Sequence, residues 1–293
     1  MESFMLETPH GALHTAYSKP TSGSTSNPTI LFLHGNSSSS QIFEPLLSNS
    51  TLKSKYPLLI FDLPGHGFSK DAPNPEQSYH QPGYADAALH VLRHYGVKEF
   101  IALGWSLGGH NAIEMIPLLS SPTTNSTGIK CLGFMIVGTP PAKGAQQLLD
   151  GFHNDISTGP AAMNVLPEEL SFAFAEAMTK VKPAPAWLHE TVKRTDGRTR
   201  EIMFRAFHEG QGSDQGQVVR EWDEGWVAIV NGKEEPYVRL DYCAEVGKGA
   251  KKLWQGHTIE IEGTEHAPFF EAPEKFTPVF LQFVEDCAKV GKA

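Results

Sequence analysis

Ser106 lies at the centre of the segment GWSLG, at the point where an apolar run gives way to an amphipathic one. The run Phe100–Leu103 is typical of a buried strand, and the apolar residues after Ser106 recur at helical spacing. A G-x-S-x-G turn between a strand and a helix exposes a serine hydroxyl as a nucleophile. Because a five-residue pattern also arises by chance, the rest of the chain must supply the other groups that a nucleophilic serine needs.

His266 is the candidate for the base that takes the proton of Ser106. Of 13 histidines it alone follows a predicted strand late in the chain, in the segment GTEHAPF. A serine nucleophile needs a base within hydrogen-bond reach, and histidine is the usual one. The order serine, acid, histidine is typical of one large group of α/β enzymes. The alternative is a histidine in a solvent-exposed loop.

The acid that orients His266 must lie between Ser106 and His266, at the end of a strand. The predicted strand WVAIVNG is followed by Glu234 and Glu235. A carboxylate at this position accepts a hydrogen bond from the histidine and stabilises the imidazolium. We assign this role to Glu235, which directly precedes Pro236, and expect Glu234 to point into solvent.

A small-residue loop, LFLHGNSSSS, follows the first predicted parallel strand. Ligands of open α/β sheets bind beyond the carboxyl ends of the strands, so a backbone N–H of Asn36 or Ser37 can face Ser106 there. Together with the N–H of Leu107, it would form an oxyanion hole, for which we choose Asn36. His66, in the glycine-rich loop DLPGHGFS, is interpreted as structural.

Strands and helical patterns alternate along the chain, which predicts an α/β fold with a mostly parallel sheet flanked by helices, preceded by a hairpin at the N-terminus. The interval 140–216 contains only helical segments and is longer than one crossover requires. It predicts a helical cap inserted into a core domain made of residues 1–139 and 217–293. The alternative is a set of ordinary crossover helices.

Composition excludes several classes of partner. The 293 residues carry a formal net charge of −9 and no basic cluster, which disfavours nucleic acid. No apolar stretch approaches the length of a membrane span, and the N-terminus does not resemble a secretory signal. The three cysteines are far apart and odd in number, which argues against a disulfide framework. We therefore expect a cytoplasmic protein.

These residues, in this order, resemble the α/β-hydrolase superfamily over essentially the whole chain. The segments HGNSSS, GWSLGGH, RTDGR, VNGKEEPYV and GTEHAPF resemble the serine-dependent N-acyl-homoserine lactone lactonases (AidH-type). The resemblance implies that Glu235, a glutamate before a proline, is the acid, and that Asn36 and Trp105 contribute to the substrate pocket. In the cap, Phe172 or Phe174 is the candidate aromatic wall; packing of a cap helix is an equal alternative.

The resemblance implies hydrolysis of an N-acyl-homoserine lactone through a Ser-His-Glu triad and an acyl-enzyme. No dinucleotide loop, phosphate loop or H-x-H-x-D-H metal cluster occurs in the sequence, so we expect no cofactor and no metal. The expected partner is a small lactone or ester, and the expected state is a monomer or weak homodimer. The alternatives are a carboxylesterase, a lactonase for another lactone, a ligand receptor that retains the triad, and a cofactor-free oxygenase.

Overall fold

The protein is built on a sheet that has eight strands in the computed structural model, which describes residues 1–22, 27–154 and 159–291. The strands are β1 Glu2–Thr8, β2 Gly11–Ser18, β3 Thr29–Leu33, β4 Leu58–Phe61, β5 Glu99–Trp105, β6 Lys130–Val137, β7 Trp226–Gly232 and β8 Ile259–Ile261. Their order across the sheet is β1-β2-β4-β3-β5-β6-β7-β8. Strands β3 to β8 run parallel, and β1 and β2 form an antiparallel hairpin. The predicted hairpin and mostly parallel sheet are confirmed.

Thirteen α-helices lie in the described part of the chain. They are α1 Glu44–Leu47, α2 Ser50–Lys55, α3 Pro75–Ser78, α4 Gln81–His94, α5 Leu107–Ser120, α6 Gly144–Gly151, α7 Glu168–Ala177, α8 Ala186–Arg194, α9 Gly197–His208, α10 Gln215–Glu221, α11 Leu240–Lys248, α12 Pro268–Glu271 and α13 Pro273–Val290. None of these helices combines the length and the apolar character needed to cross a membrane.

Helices cover both faces of the sheet, because the parallel strands are apolar on both sides. In β3, for example, Leu31 and Leu33 pack in one core with α4, α5, α10 and α11. Ile30 and Phe32 point to the other face and pack in a second core with α1, α2 and α13. The side chains of a strand alternate between its two faces, so the continuous apolar run of β3 supplies both cores.

The interval 140–216 is helical, as the sequence predicts. Its described residues, 140–154 and 159–216, contain α6 to α9 and no strand beyond an isolated bridge between Phe152 and Val238. Helix α7 packs on α8 and α6 packs on α9, whereas α10 packs on α5 and α11 of the core. The division into a core of 1–139 and 217–293 and a cap of 140–216 remains a prediction, and its boundary at 216 falls inside α10.

Asp62, which follows β4, fixes two loops beside the carboxyl end of the sheet. Its buried carboxylate accepts hydrogen bonds from the N–H groups of Ser40 at 2.8 Å and Phe68 at 2.9 Å, and its Oδ2 lies 3.1 Å from the His14 ring. Burial alone would raise the pKa of Asp62, but these hydrogen bonds and the nearby His34 lower it to about 2. The ionised carboxylate is therefore part of the folded structure.

Asp62 should make the free energy of unfolding of the protein depend on pH in the acidic range. Its pKa is lower in the folded protein than the ordinary value of about 3.9, so its contribution is present above pH 4 and lost as the pH falls toward 2. We expect Asp62→Asn to cost roughly 2–3 kcal/mol in the free energy of unfolding at pH 7, and about half of that difference to be gone at pH 3. Urea denaturation of both proteins at several pH values measures it; a difference that stays constant from pH 7 to 3 would contradict this role.

Candidate active site

Ser106 occupies a sharp turn between β5 and α5. Its backbone has φ 53° and ψ −118°, in a region that residues other than glycine rarely adopt. The surrounding glycines are required by close backbone approach: a Cβ on Gly108 would lie 1.9 Å from the carbonyl oxygen of Leu33, and one on Gly104 would lie 2.4 Å from that of Gly108. The turn therefore holds Ser106 at the carboxyl end of the sheet, as the G-x-S-x-G pattern predicts.

His266 and Glu235 form a buried pair beyond the ends of β8 and β7. The Nδ1 atom of His266 lies 3.0 Å and 2.9 Å from the two carboxylate oxygens of Glu235. The Glu235 side chain is fully buried, and its Oε1 also accepts the N–H groups of Tyr237 and Val238 at 3.0 and 3.4 Å. The carboxylate is thus fixed by the backbone and in turn fixes the imidazole ring, and Nε2 has no hydrogen-bond partner within the described ranges.

Glu234, the other candidate acid, points away from His266. Its half-exposed carboxylate lies 3.1 Å from Nζ of Lys180 and accepts the N–H of Gly263 at 3.1 Å. These hydrogen bonds and the neighbouring lysine lower its pKa. The geometry therefore brings Glu235, and not Glu234, to the histidine, and the role of Glu235 as the acid remains a prediction.

Trp105 also contacts the histidine. The indole N–H donates a hydrogen bond of 2.9 Å to the carbonyl oxygen of His266, and the two rings are 5.5 Å apart. Gly138, at the end of β6, leaves room for the imidazole, because a Cβ there would lie 2.7 Å from the His266 ring. Trp105 therefore both lines the cavity beside Ser106 and positions the loop that carries His266.

Two backbone N–H groups beside Ser106 are available to bind an oxyanion. A Cβ on Gly35 would lie 3.2 Å from Cβ of Ser106, so the loop after β3 closely approaches the nucleophile and places Asn36 beside it. Leu107 is the first residue of α5, where an N–H has no acceptor within the helix. Within the part of the chain that the structure describes, neither the Asn36 nor the Leu107 N–H donates to a protein acceptor. Both residues line the cavity.

Arg200 of α9 fixes the Asn36 loop from the side of the cap, a role that the sequence analysis did not assign. Its guanidinium is buried, which lowers its pKa to about 10, and it donates a 3.0 Å hydrogen bond to the Ser37 hydroxyl. Ser37, at φ 54°, donates in turn to Oδ1 of Asn36, whose amide donates to the carbonyl of Ala161. The Asn36 side chain is therefore held toward the cap rather than toward Ser106.

Ser106 and His266 face a common cavity of about 460 Å³ with mostly apolar walls. No hydrogen bond joins Ser106 Oγ to His266 in the described residues, and such catalytic contacts often tighten only when substrate binds. The cavity walls include aromatic and thioether side chains from α7, from the residue that follows it and from α9, among them Phe174, Met178, Met203, Phe204 and Phe207. The site can therefore enclose a neutral, largely apolar molecule next to a serine and a histidine.

Of the two aromatic residues suggested for the cap wall, only Phe174 lines the cavity. Phe172 is 52% exposed and its ring packs against His189, 4.3 Å away between ring centres, so its assignment to the wall was wrong. Residues two apart on a helix point about 200° away from each other, and both cannot face one cavity from α7. The choice between them depends on how the helix is rotated, which the sequence does not show.

A group of side chains with metal-ligand chemistry lies elsewhere in the protein. Among the described residues, one such cluster has its ligand atoms close together, formed by His10 of the β1–β2 turn with Asp86 and His90 of α4. These atoms are joined to one another and to Ser78 by hydrogen bonds or ion pairs, and none of the residues lines the cavity. This cluster is therefore separate from the cavity that Ser106 and His266 face.

The alpha/beta hydrolase family model matches residues 30–279. Since this match covers most of the chain, the protein belongs to the alpha/beta hydrolase family, and its mostly parallel sheet flanked by helices confirms the predicted fold class. The esterase RhEst1 from Rhodococcus sp. ECU1013 shares this fold at a TM-score of 0.71 and 22% identity, with 98% of each chain covered.

The chain is also similar to solved structures of a lactonase. It shares 37% identity and a TM-score of 0.86 with the N-acyl homoserine lactonase AidH complexed with N-butanoyl homoserine, over 98% of this chain and 97% of that one. A mutant of that lactonase complexed with N-hexanoyl homoserine lactone matches at 36% identity and TM-score 0.86 over 99% of both chains. These similarities confirm the resemblance predicted from the sequence.

A shorter match joins the chain to a curated hydrolase. The 2-(acetamidomethylene)succinate hydrolase of Mesorhizobium japonicum is 35% identical over 88 residues, which is 30% of either protein. The chain therefore matches this relative over less than a third of its length. Together, the family and its lactonase neighbours support a hydrolase that acts on ester bonds.

Proposed function

We propose that the protein hydrolyses N-acyl-homoserine lactones, with Ser106, His266 and Glu235 as its catalytic residues. The observation that carries the proposal is a serine on a strained strand-to-helix turn and a carboxylate-held histidine that face one apolar cavity. The choice of substrate rests on the similarity to a lactonase, which extends over nearly the whole chain and therefore includes the cap helices.

The first half of the reaction would form an acyl-enzyme. His266 Nε2 takes the proton of the Ser106 hydroxyl as the oxygen attacks the lactone carbonyl, and Glu235 stabilises the imidazolium. The N–H groups of Asn36 and Leu107 hold the negative charge on the tetrahedral intermediate. When the intermediate collapses, the ring C–O bond breaks and the imidazolium protonates the departing alkoxide. The product is a serine ester whose acyl group still carries the new alcohol.

The second half would release the open-chain N-acyl-homoserine. Water gives a proton to His266 and attacks the ester carbonyl, and the imidazolium returns the proton to Ser106 as the acyl bond breaks. The tethered alcohol competes with water, because its attack on the same carbonyl closes the ring again. A site for this reaction must therefore admit water beside His266 while it holds the alcohol away from the carbonyl.

The walls of the cavity suit an acyl chain. The cap side chains around it are apolar, so each additional methylene buried there stabilises the bound state by about 0.8 kcal/mol. This corresponds to roughly a fourfold gain in kcat/KM per methylene if the chain is equally buried in the transition state. The net charge of −9 is compatible with a neutral substrate, whose capture does not depend on charge steering.

A pH-stat assay of the purified protein tests the proposal. The substrates are N-acyl-homoserine lactones of increasing chain length, a γ-lactone without an amide, and small aryl esters. We expect kcat/KM for the acylated lactones to rise with chain length until the cavity is filled, and to exceed that for the aryl esters.

Three other results would point to the alternatives. Rapid cleavage of aryl esters with every acyl-homoserine lactone left intact would contradict the lactonase and favour a carboxylesterase. A preference for the lactone that lacks the amide would favour another lactonase. Tight binding with a single slow turnover would favour a receptor that retains the triad.

A further inference from the structure

His110 brings a polar ring to the apolar cavity and has no part in the proposed hydrolysis. It lies on α5, four residues after Ser106, is only 5% exposed and lines the cavity. Its ring packs edge-on against Phe207 of α9, with 4.8 Å between ring centres. A buried polar ring among apolar neighbours needs hydrogen-bond partners, and those partners determine which nitrogen carries the proton.

The partners of His110 form a chain that ends on the backbone. Both carboxylate oxygens of Glu114, one turn further along α5, accept the N–H of Ser213 at 3.1 Å. Glu114 therefore acts as an acceptor, and the Gln215 amide nitrogen donates to it at 3.1 Å. This fixes the direction of the Gln215 amide, so that its oxygen faces Nδ1 of His110 at 2.6 Å.

The direction of the Gln215 amide determines the tautomer of His110. An amide oxygen only accepts, so Nδ1 of His110 carries the hydrogen and Nε2 carries a lone pair. Nε2 has no hydrogen-bond partner among the described residues, and His110 lines the cavity. Burial lowers the pKa of His110 to about 4, so the ring is neutral and Nε2 remains an acceptor near pH 7.

We propose that Nε2 of His110 is a substrate-binding subsite that accepts a hydrogen bond from an N–H or O–H group on the acyl side of the substrate. The inference rests on the proposed function, because it takes Ser106 as the point of attack. Four residues of α-helix place His110 about 6 Å along the helix axis from Ser106. Because both residues line the same cavity, the His110 ring can meet a donor near the reacting carbonyl, such as the amide N–H or a hydroxyl at position 3 of the acyl chain.

The lone pair should discriminate between substrates. A donor opposite Nε2 gains a hydrogen bond, whereas a keto oxygen at the same place leaves two buried acceptors facing each other. Loss of one buried hydrogen-bond partner weakens binding by roughly 5- to 100-fold. A 3-hydroxyacyl lactone should therefore be favoured over the 3-oxoacyl lactone of the same length, or the amide lactone over a lactone without an amide.

The test compares four ligands of one chain length: N-acyl-, N-(3-hydroxyacyl)- and N-(3-oxoacyl)-homoserine lactones, and an alkyl γ-lactone without the amide. His110→Phe removes the lone pair and keeps an aromatic ring against Phe207, and Phe207→Leu changes the packing and keeps the acceptor. We measure kcat/KM for each protein, and Kd by calorimetry with Ser106→Ala present, so that the subsite is tested without turnover.

We expect His110→Phe to lower one of two ratios of kcat/KM by about tenfold: that of the 3-hydroxy to the 3-oxo ligand, or that of the amide lactone to the plain lactone. A fall in the hydroxy-to-oxo ratio identifies a hydroxyl as the donor, and a fall in the amide-to-plain-lactone ratio identifies the amide. Phe207→Leu should change all four ligands alike. Unchanged values of both ratios in His110→Phe would overturn the subsite. Binding without turnover by the wild-type protein would overturn the proposed lactonase but still test His110 through Kd.

Discussion

Replacement of Ser106 by alanine is expected to abolish hydrolysis of acyl-homoserine lactones while the protein still folds and binds them. The hydroxyl oxygen is the only non-hydrogen atom that the substitution removes. Because no acyl-enzyme forms without it, turnover should fall by about 10⁴-fold or more. Alanine has the same Cβ as serine and adds no further clash at the positive φ of this turn. Initial rates by pH-stat and Kd by calorimetry measure the two parts of the prediction.

Ser38→Ala is the matched control. Ser38 is also buried near the carboxyl end of the sheet, but among the described residues its hydroxyl has no hydrogen-bond partner. Its loss should leave both rate and affinity close to wild type. If Ser106→Ala kept more than a few per cent of the rate, water would be activated directly by His266 and the acyl-enzyme would be excluded.

The positions of the three proposed catalytic residues could be predicted because each depends on a local pattern. Ser106, Glu235 and His266 follow apolar runs that end in glycine-rich or polar turns, and such junctions lie at one edge of a parallel sheet. The pattern also distinguishes strand from helix well enough to place β7 at the predicted residues. The sequence alone therefore predicts that the three residues lie at the same edge of the sheet, although Ser106 is more than 100 residues from the other two.

The cap contacts could not be predicted, because no local pattern encodes them. Arg200 bonds Ser37, which is 163 positions away, and His110 bonds Gln215, which is 105 positions away. Each pair meets only because α9 and α10 pack against the carboxyl end of the sheet in one orientation. The same orientation turns Phe174 toward the cavity and Phe172 toward His189. Sequence periodicity gives the directions of the side chains on a helix relative to one another, but not which face of the helix is turned toward the cavity.

Glu235→Gln should lower kcat by about three to four orders of magnitude with little change in folding. The N–H groups of Tyr237 and Val238 donate to Oε1 of Glu235, and in the variant they hold the amide oxygen at that position. The amide nitrogen then replaces the nearer of the two oxygens, the one 2.9 Å from Nδ1 of His266, and donates a hydrogen bond to Nδ1. This favours the tautomer that carries its proton on Nε2. A histidine in this tautomer cannot take the proton of Ser106.

Glu234→Gln separates this effect from a general loss of negative charge. Glu234 is adjacent in the chain, but its carboxylate faces Lys180 and Gly263 at the surface, and an amide oxygen can still accept the Gly263 N–H. We expect its kcat to stay within about twofold of wild type, since exposed ion pairs contribute little. The pH dependence of kcat and near-ultraviolet circular dichroism of both variants complete the measurement. Equal losses of kcat in the two variants would mean that negative charge near the site matters and the histidine tautomer does not. A larger loss in Glu234→Gln would show that Glu234, and not Glu235, is the acid.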